Sequence, residues 1–224
     1  MLVHLKGVLT AEQAAACRGE LDRARWLDGR VSAGTAAAGV KHNAEADLTD
    51  PLALRWSETI RKALGANPAF MATALPARIC PPSFNRYSGG QTYGEHYDTA
   101  LLEFGGVWVR NDLAATLFLN PPEDYDGGEL LIRDTFGPRA VKLPAGDMVL
   151  YPASSQHQVS PVTRGVRLAS YFWIQSLVRD DTHRQMLHDL DTSIQQLRQA
   201  KSDPATAARL LGLYHNLLRL WSDT

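Results

Sequence analysis

Cysteine is scarce in this 224-residue chain: Cys17 and Cys80 are the only two, and they do not form a C-x-x-C pair. That count excludes a disulfide framework and a thiolate zinc site, and it fits a reducing compartment. An excess of charge is missing as well. The 23 Lys and Arg residues meet 24 Asp and Glu residues, for a formal net charge of -1. Without a basic run, the chain carries no electrostatic footprint for DNA or RNA. No apolar run approaches the length of a membrane span. The opening "MLVHLKGVLTAEQ" lacks the basic segment and long apolar stretch of a secretory signal. The expected location is the cytoplasm, with neither nucleic acid nor membrane as partner.

What is present is the material of an ordinary globular core, 45% apolar and 21% charged. The length suits one substantial domain, or one domain with a small appendage. "TAEQ" at Thr10–Gln13 has capping-box spacing and predicts a helix from about Ala11 to Ala24. A second helix is expected over Pro51–Leu64. Between them, "GRVSAGTAAAGVKHN" is rich in Gly and Ala with little periodicity, so a mobile loop is expected, a candidate lid for a nearby site.

From Ala77 to Ser176 the chain breaks into short apolar runs cut by Gly, Pro, Asn and Asp. The predicted strands are Arg78–Tyr87, Tyr93–Asp98, Leu113–Leu119, Glu129–Asp134, Ala140–Leu143, Asp147–Tyr151, His157–Val162 and Val166–Ser176. So many short strands with dense turn signals predict a mainly β fold, a double-sheet jelly roll. After Ser176 the period becomes helical. Met186, Leu190, Ile194 and Leu197 form one stripe. A second helix starts at Asp203-Pro204 and carries Leu210, Tyr214, Leu217 and Trp221. Residues 1–177 are thus expected to form the jelly-roll domain with its N-terminal helices. Residues 178–224 are expected to form a C-terminal helical hairpin, buried on the barrel or on a second copy as an oligomerisation element.

The chemistry concentrates in the strands. His96 and Asp98, two apart in "YGEHYD", share a strand face. Of the other histidines only His157 falls within the predicted strand region. Two imidazoles and one carboxylate on strands make a facial triad with open positions, which suits ferrous iron that must also bind a cosubstrate and dioxygen. Zinc or a non-catalytic metal fits the same set. Singly, each residue reads more simply as a surface or turn residue.

Arg167 adds weight. It sits in a nearly continuous apolar strand, where a guanidinium needs an anionic partner. A salt bridge to an acid such as Asp147 would serve. So would the distal carboxylate of a dicarboxylate held on the metal, which the planar guanidinium matches bidentately.

The stretches "NRYSGGQTYGEHYD", "DLAATLFLNPPEDYDGGELLI" and "VKLPAGDMVLYPASSQHQVSPVTRGVRLASYFWIQS" resemble the bacterial PKHD-type hydroxylases. These are Fe(II)- and 2-oxoglutarate-dependent oxygenases related to prolyl and lysyl hydroxylase domains. The likeness covers the whole barrel. It implies hydroxylation of a substrate with conversion of 2-oxoglutarate and O2 to succinate and CO2, with ascorbate as a further candidate cofactor. It also implies His96, Asp98 and His157 as iron ligands, Arg167 as anchor of the 2-oxoglutarate carboxylate, and Tyr87 as a hydrogen-bond donor to the cosubstrate. A core tyrosine with a satisfied hydroxyl is the competing reading of Tyr87. The chain departs from many relatives at Ala169, where Ser or Thr is common, and at Phe118, where some have a second tyrosine. The second donor to the distal carboxylate must therefore come from elsewhere. Two other classes compete: a non-catalytic metal-binding jelly roll acting as a sensor, and an assembly module in which the terminal helices bind a partner.

Overall fold

The computed structural model of the chain describes residues 1–34, 37–201 and 203–223. The chain begins with β1 (Val3–Leu5), α1 (Ala11–Leu21), β2 (Trp26–Asp28), β3 (Lys41–His42) and β4 (Ala44–Ala46). Helices α2 (Pro51–Gly65) and α3 (Pro68–Ala74) follow. Next come β5 (Pro76–Ile79), β6 (Ser83–Ser88), β7 (Thr92–His96), β8 (Leu101–Phe104), β9 (Val107–Arg110) and β10 (Leu113–Phe118). The remaining strands are β11 (Asp126–Gly127), β12 (Leu130–Asp134), β13 (Gly137–Val141), β14 (Met148–Pro152), β15 (His157–Val159), β16 (Val162–Arg164) and β17 (Val166–Ser176). Helices α4 (Asp181–Gln199) and α5 (Pro204–Trp221) end the chain.

Two antiparallel sheets dominate. The larger runs β1-β14-β10-β17-β6-β4-β2, with β5 alongside β17, and the smaller runs β13-β12-β15-β7-β3. Both faces of the larger sheet are covered, which explains why its strands read as apolar runs rather than alternating ones. Leu113, Leu117, Phe172 and Ile174 pack with Leu21, Ile60 and Phe70 of α1, α2 and α3. Burying each of these large side chains contributes about 1.5–3 kcal/mol. The opposite face presents Tyr87, Phe118 and Tyr151 to Leu130, Ile132 and Val159 of the smaller sheet. The functional residues lie on this inner side.

The local causes of the helices are visible at their ends. The Thr10–Gln13 capping box starts α1, but the helix stops at Leu21 rather than Ala24. There the Trp26 indole donates to the Leu21 carbonyl at 3.0 Å and takes over an end group of the last turn. Asp50 caps α2, with Pro51 in its first turn. Helix α3 was not expected, although Asn67 caps it and Pro68 opens it, the same signal as at α2.

The strand expectations need three corrections. Pro81 and Pro82 cannot donate to a ladder, so Arg78–Tyr87 splits into β5 and β6. His157–Val162 splits at Ser160-Pro161 into β15 and β16, which join different sheets. The strand expected over Tyr93–Asp98 ends at His96, so Asp98 leaves on the following segment. Strands β8 and β9, a Gly105-Gly106 hairpin, were also unforeseen.

The expected loop at 29–43 contains short 3-10 turns at Gly29–Ser32 and Ala38–Val40; its residues Thr35 and Ala36 lie outside the described residues. In the C-terminal hairpin, α4 turns Leu187, Leu190 and Ile194 inward, whereas Met186 is half exposed. The α5 stripe is as expected, and Leu75 joins this small core to the end of α3. Among the described residues, no helix is long and apolar enough to cross a membrane.

Candidate active site

His96 at the end of β7 and His157 at the start of β15 are register partners in the smaller sheet. Their ring centroids stand 4.2 Å apart. Each Nδ1 donates to a carbonyl two residues back, His96 to Gly94 at 2.8 Å and His157 to Ser155 at 3.0 Å. Those bonds leave both Nε2 atoms as acceptors, the tautomer a metal requires. Asp98 Oδ2 approaches His157 Nε2 to 3.9 Å. One ligand atom from each of the three residues falls within 4.8 Å of the others.

The electrostatics agree with a cation site. Asp98 Oδ2 is buried and, among the described residues, has no hydrogen-bond partner. Burial pushes this carboxyl above its ordinary range, against the opposing pull of His157 and the Trp173 indole. Burial, helped by His157, holds His96 down to about 4, so its imidazole is neutral at pH 7. Two imidazoles and a carboxylate oxygen are the donors a divalent transition metal takes, and they fit Fe(II).

Arg167 is almost completely enclosed, with 1% of its surface exposed. Its Nε donates to the Gly128 carbonyl at 2.9 Å and its Nη1 to Asn85 Oδ1 at 3.4 Å. Among the described residues no carboxylate forms an ion pair with it; Asp147 accepts instead from Gly7 N and pairs with His4. The salt-bridge expectation therefore fails. An enclosed guanidinium without a countercharge fits a carboxylate supplied by a ligand.

Tyr87, the cross-strand partner of Arg167, is buried, and among the described residues its hydroxyl meets the geometric criteria of a hydrogen bond with no partner. Burial pushes its phenol well up, so it stays a donor. Gly128 makes this crowding possible: its φ is +67°, and a Cβ there would meet Tyr125 Cε2 at 2.9 Å and Arg167 Cδ at 3.0 Å.

These residues open on one cavity of about 360 Å³. On β17, Arg167, Tyr171 and Trp173 alternate onto its wall, and β10 contributes Thr116. Ser32, Ala33, Gly34 and Ala37 of the expected lid segment line it too. Sequence reasoning missed Lys41, Glu45 and Asn85 on the wall, and Tyr125 behind Arg167. Asn85 shares the face of Tyr87 at i, i+2 and was open to the same logic. Lys41 and Glu45 lie in strands too short to show a period, and Tyr125 sits in what reads as a surface turn.

Known proteins resemble this chain in sequence and fold. A family model described as the 2OG-Fe(II) oxygenase superfamily matches residues 82–175, and one described as the PKHD-type hydroxylase C-terminal domain matches residues 181–223. A PKHD-type hydroxylase of Burkholderia ambifaria is 52% identical over the full length of both chains. One from Methylobacillus flagellatus is 50% identical, again over both whole chains. A Pseudomonas putida prolyl-4-hydroxylase structure superposes with a TM-score of 0.53 at 20% identity, over 78% of this chain and 92% of that one. HygX from Streptomyces hygroscopicus, solved with nickel and 2-oxoglutarate bound, gives 0.53 at 16% identity, over 78% and 82%. These two distant structures share the fold, a jelly roll. Identity above one half along the whole length goes further, and by it the chain belongs to the PKHD-type hydroxylases, a family of Fe(II)- and 2-oxoglutarate-dependent oxygenases.

Proposed function

We propose that His96, Asp98 and His157 hold the catalytic Fe(II), and that Arg167 and Tyr87 hold the distal carboxylate of 2-oxoglutarate. The observation that carries this reading is the pairing of two unmet demands in one cavity: among the described residues, a buried carboxylate oxygen without a hydrogen-bond partner at Asp98 and an enclosed guanidinium outside any ion pair at Arg167. A divalent cation answers the first and a carboxylate the second. Bound iron supplies the activation of dioxygen that couples decarboxylation of 2-oxoglutarate to substrate hydroxylation.

The protein's own residues do the positioning. The Gly94 and Ser155 carbonyls fix the two imidazoles. The Gly128 carbonyl fixes the Arg167 fork, and the Tyr87 hydroxyl donates beside it. Trp173 and Tyr151, stacked edge-on to His157 at 5.2 Å, close the wall against water. Strand-borne side chains of this kind hold ligands more rigidly than loops would. The primary substrate enters from the side lined by Ser32, Ala33, Gly34, Ala37 and Tyr97, whose exposed ring borders the cavity.

The test is an anaerobic titration of the apoprotein with Fe(II) and then 2-oxoglutarate, followed by the visible charge-transfer band of the chelate. The band is expected for the wild type, absent for His157→Ala and weakened for Arg167→Met. Stoichiometric iron binding without a band would overturn the assignment and favour a non-catalytic metal protein.

Three further parts of the reading have their own checks. Ascorbate is the auxiliary reductant that keeps the metal ferrous; it should prolong 2-oxoglutarate turnover without changing its initial rate. Residues 178–224 form a separable helical module through which two copies associate, using exposed apolar residues such as Leu213 and Leu220. Sedimentation velocity should show a dimer, and a monomer at all concentrations would refute this. The protein works in the cytoplasm, consistent with two buried, unpaired cysteines; fractionation of cells that express it is the check.

A further inference from the structure

The cavity wall holds a second pair of charged groups that the iron and 2-oxoglutarate leave unused. Lys41 on β3 and Glu45 on β4 are 4% and 9% exposed. Lys41 Nζ donates to Glu45 Oε1 at 2.5 Å and to Ser32 Oγ at 2.7 Å. The Tyr171 hydroxyl donates to the same Oε1 at 2.7 Å. Glu45 Oε2 has no hydrogen-bond partner among the described residues. An ammonium has three protons to give, and only two of those on Lys41 are engaged. A buried ion pair is seldom more stabilising than an apolar pair of the same volume, so its presence in a cavity wall calls for a function.

We propose that the Lys41–Glu45 pair is the recognition subsite for the primary substrate, and that it takes an uncharged carboxamide-type group, a planar C=O with an adjacent N–H. This rests on the oxygenase reading of the cavity. The spare Lys41 proton is given to the substrate carbonyl, and Glu45 Oε2 accepts the substrate N–H. Because the pair is neutral as a whole, an isolated carboxylate meets Glu45 and an isolated ammonium meets Lys41, and both are disfavoured. The location suits the role. Lys41 Nζ lies 5.1 Å from the Tyr93 ring centroid, and that ring stacks on His96 at 3.6 Å. A group held there stands one aromatic ring from the metal ligands, with its neighbouring carbons towards the metal.

Three probes of one shape but different charge test this: benzamide, benzoate and benzylamine. Their binding to the Zn(II)- and 2-oxoglutarate-loaded protein is measured by saturation-transfer NMR. In the wild type benzamide should bind about fivefold more tightly than the others, the value of roughly one net hydrogen bond. Glu45→Gln strands the Lys41 charge and should switch the preference to benzoate by about tenfold. Lys41→Met strands Glu45 and should switch it to benzylamine. A merely structural clasp would not reverse the ranking in opposite senses. If the wild type binds no probe or does not favour benzamide, the subsite is wrong, and this arm needs no variant to fold. The Fe(II)–2-oxoglutarate band is recorded on portions of the same apoprotein preparations loaded anaerobically with Fe(II) in place of Zn(II). A normal band without the ranking overturns the subsite alone, whereas a missing band overturns the reading beneath it and the subsite with it.

Discussion

His96 and His157 are direct cross-strand partners in the pairing of β7 with β15, their rings tilted by 54° to each other. Backbone pairing, with the hydrogen bonds to the Gly94 and Ser155 carbonyls, therefore sets the separation of two of the three proposed metal donors. Asp98 differs, since it lies beyond the strand end and its placement costs free energy that only a cation returns.

That cost predicts an inversion. The folded pKa of Asp98 lies above its ordinary value, so the metal-free fold loses stability as pH rises through that folded value. Asp98→Asn removes the charge at constant shape. In EDTA at pH 7.5 the variant should melt at least about 2 °C higher than the wild type. The difference should close as pH falls and wild-type Asp98 becomes protonated. Added Fe(II) should reverse the order, because only the wild type gains binding energy. Differential scanning fluorimetry is the check, and a less stable variant in EDTA would count against the assignment.

His96 supplies a pH dependence of the opposite sense. Its folded pKa of about 4 lies below the usual imidazole value. The unfolded chain therefore binds the extra proton first, and the metal-free fold loses stability as pH falls from about 6.5 towards 4. His96→Gln should remove this component. The gap between the two urea midpoints should shift in favour of the variant below pH 6.5.

Arg167→Met separates ligand binding from folding. Removing one partner of a buried charged contact costs about 2–5 kcal/mol, so the Kd for 2-oxoglutarate should rise at least roughly 30-fold. The ligand-free fold should hold its melting temperature or gain, since an enclosed cation without a countercharge is replaced by an apolar side chain. Calorimetry of 2-oxoglutarate binding to the Zn(II) form, with a thermal melt, reads both.

The two thiols should be silent. Burial lifts Cys17 to about 12 and Cys80 to about 11, and the thiolate is the reactive form. Native protein should resist iodoacetamide at pH 8 for hours, while protein in urea should take up two equivalents within minutes. Rapid native labelling would show that the packing around α1 opens readily.

The sequence made some of this legible and hid the rest for physical reasons. Strand β17 was read to its ends because Gly165 precedes it and its two buried faces leave one unbroken apolar run. The i, i+2 spacing of His96 and Asp98 and the one further histidine of the predicted β region singled out the candidate triad, although Asp98 lies past the end of β7 rather than on its face. The strands β2, β3 and β4 are two or three residues long, too short to carry any period. The Lys41–Glu45 spacing is that of a surface helix pair, and only the fold shows it buried between sheets. The β8–β9 hairpin is different: its Gly-Gly turn and flanking β-formers were present and went unread.

The two sheets also make the barrel a caliper. The two candidate metal-binding histidines belong to the smaller sheet and Arg167 to the larger, so the gap between layers, about 10 Å in stacked sheets, governs the span between them. No side chain can be re-angled to change it much. The length of the diacid is thus gauged by the architecture itself. Oxaloacetate, one carbon shorter, should fail to reach Arg167 while chelating the metal, and 2-oxoadipate, one longer, should have to buckle. Altering cosubstrate choice in this protein would require moving a sheet.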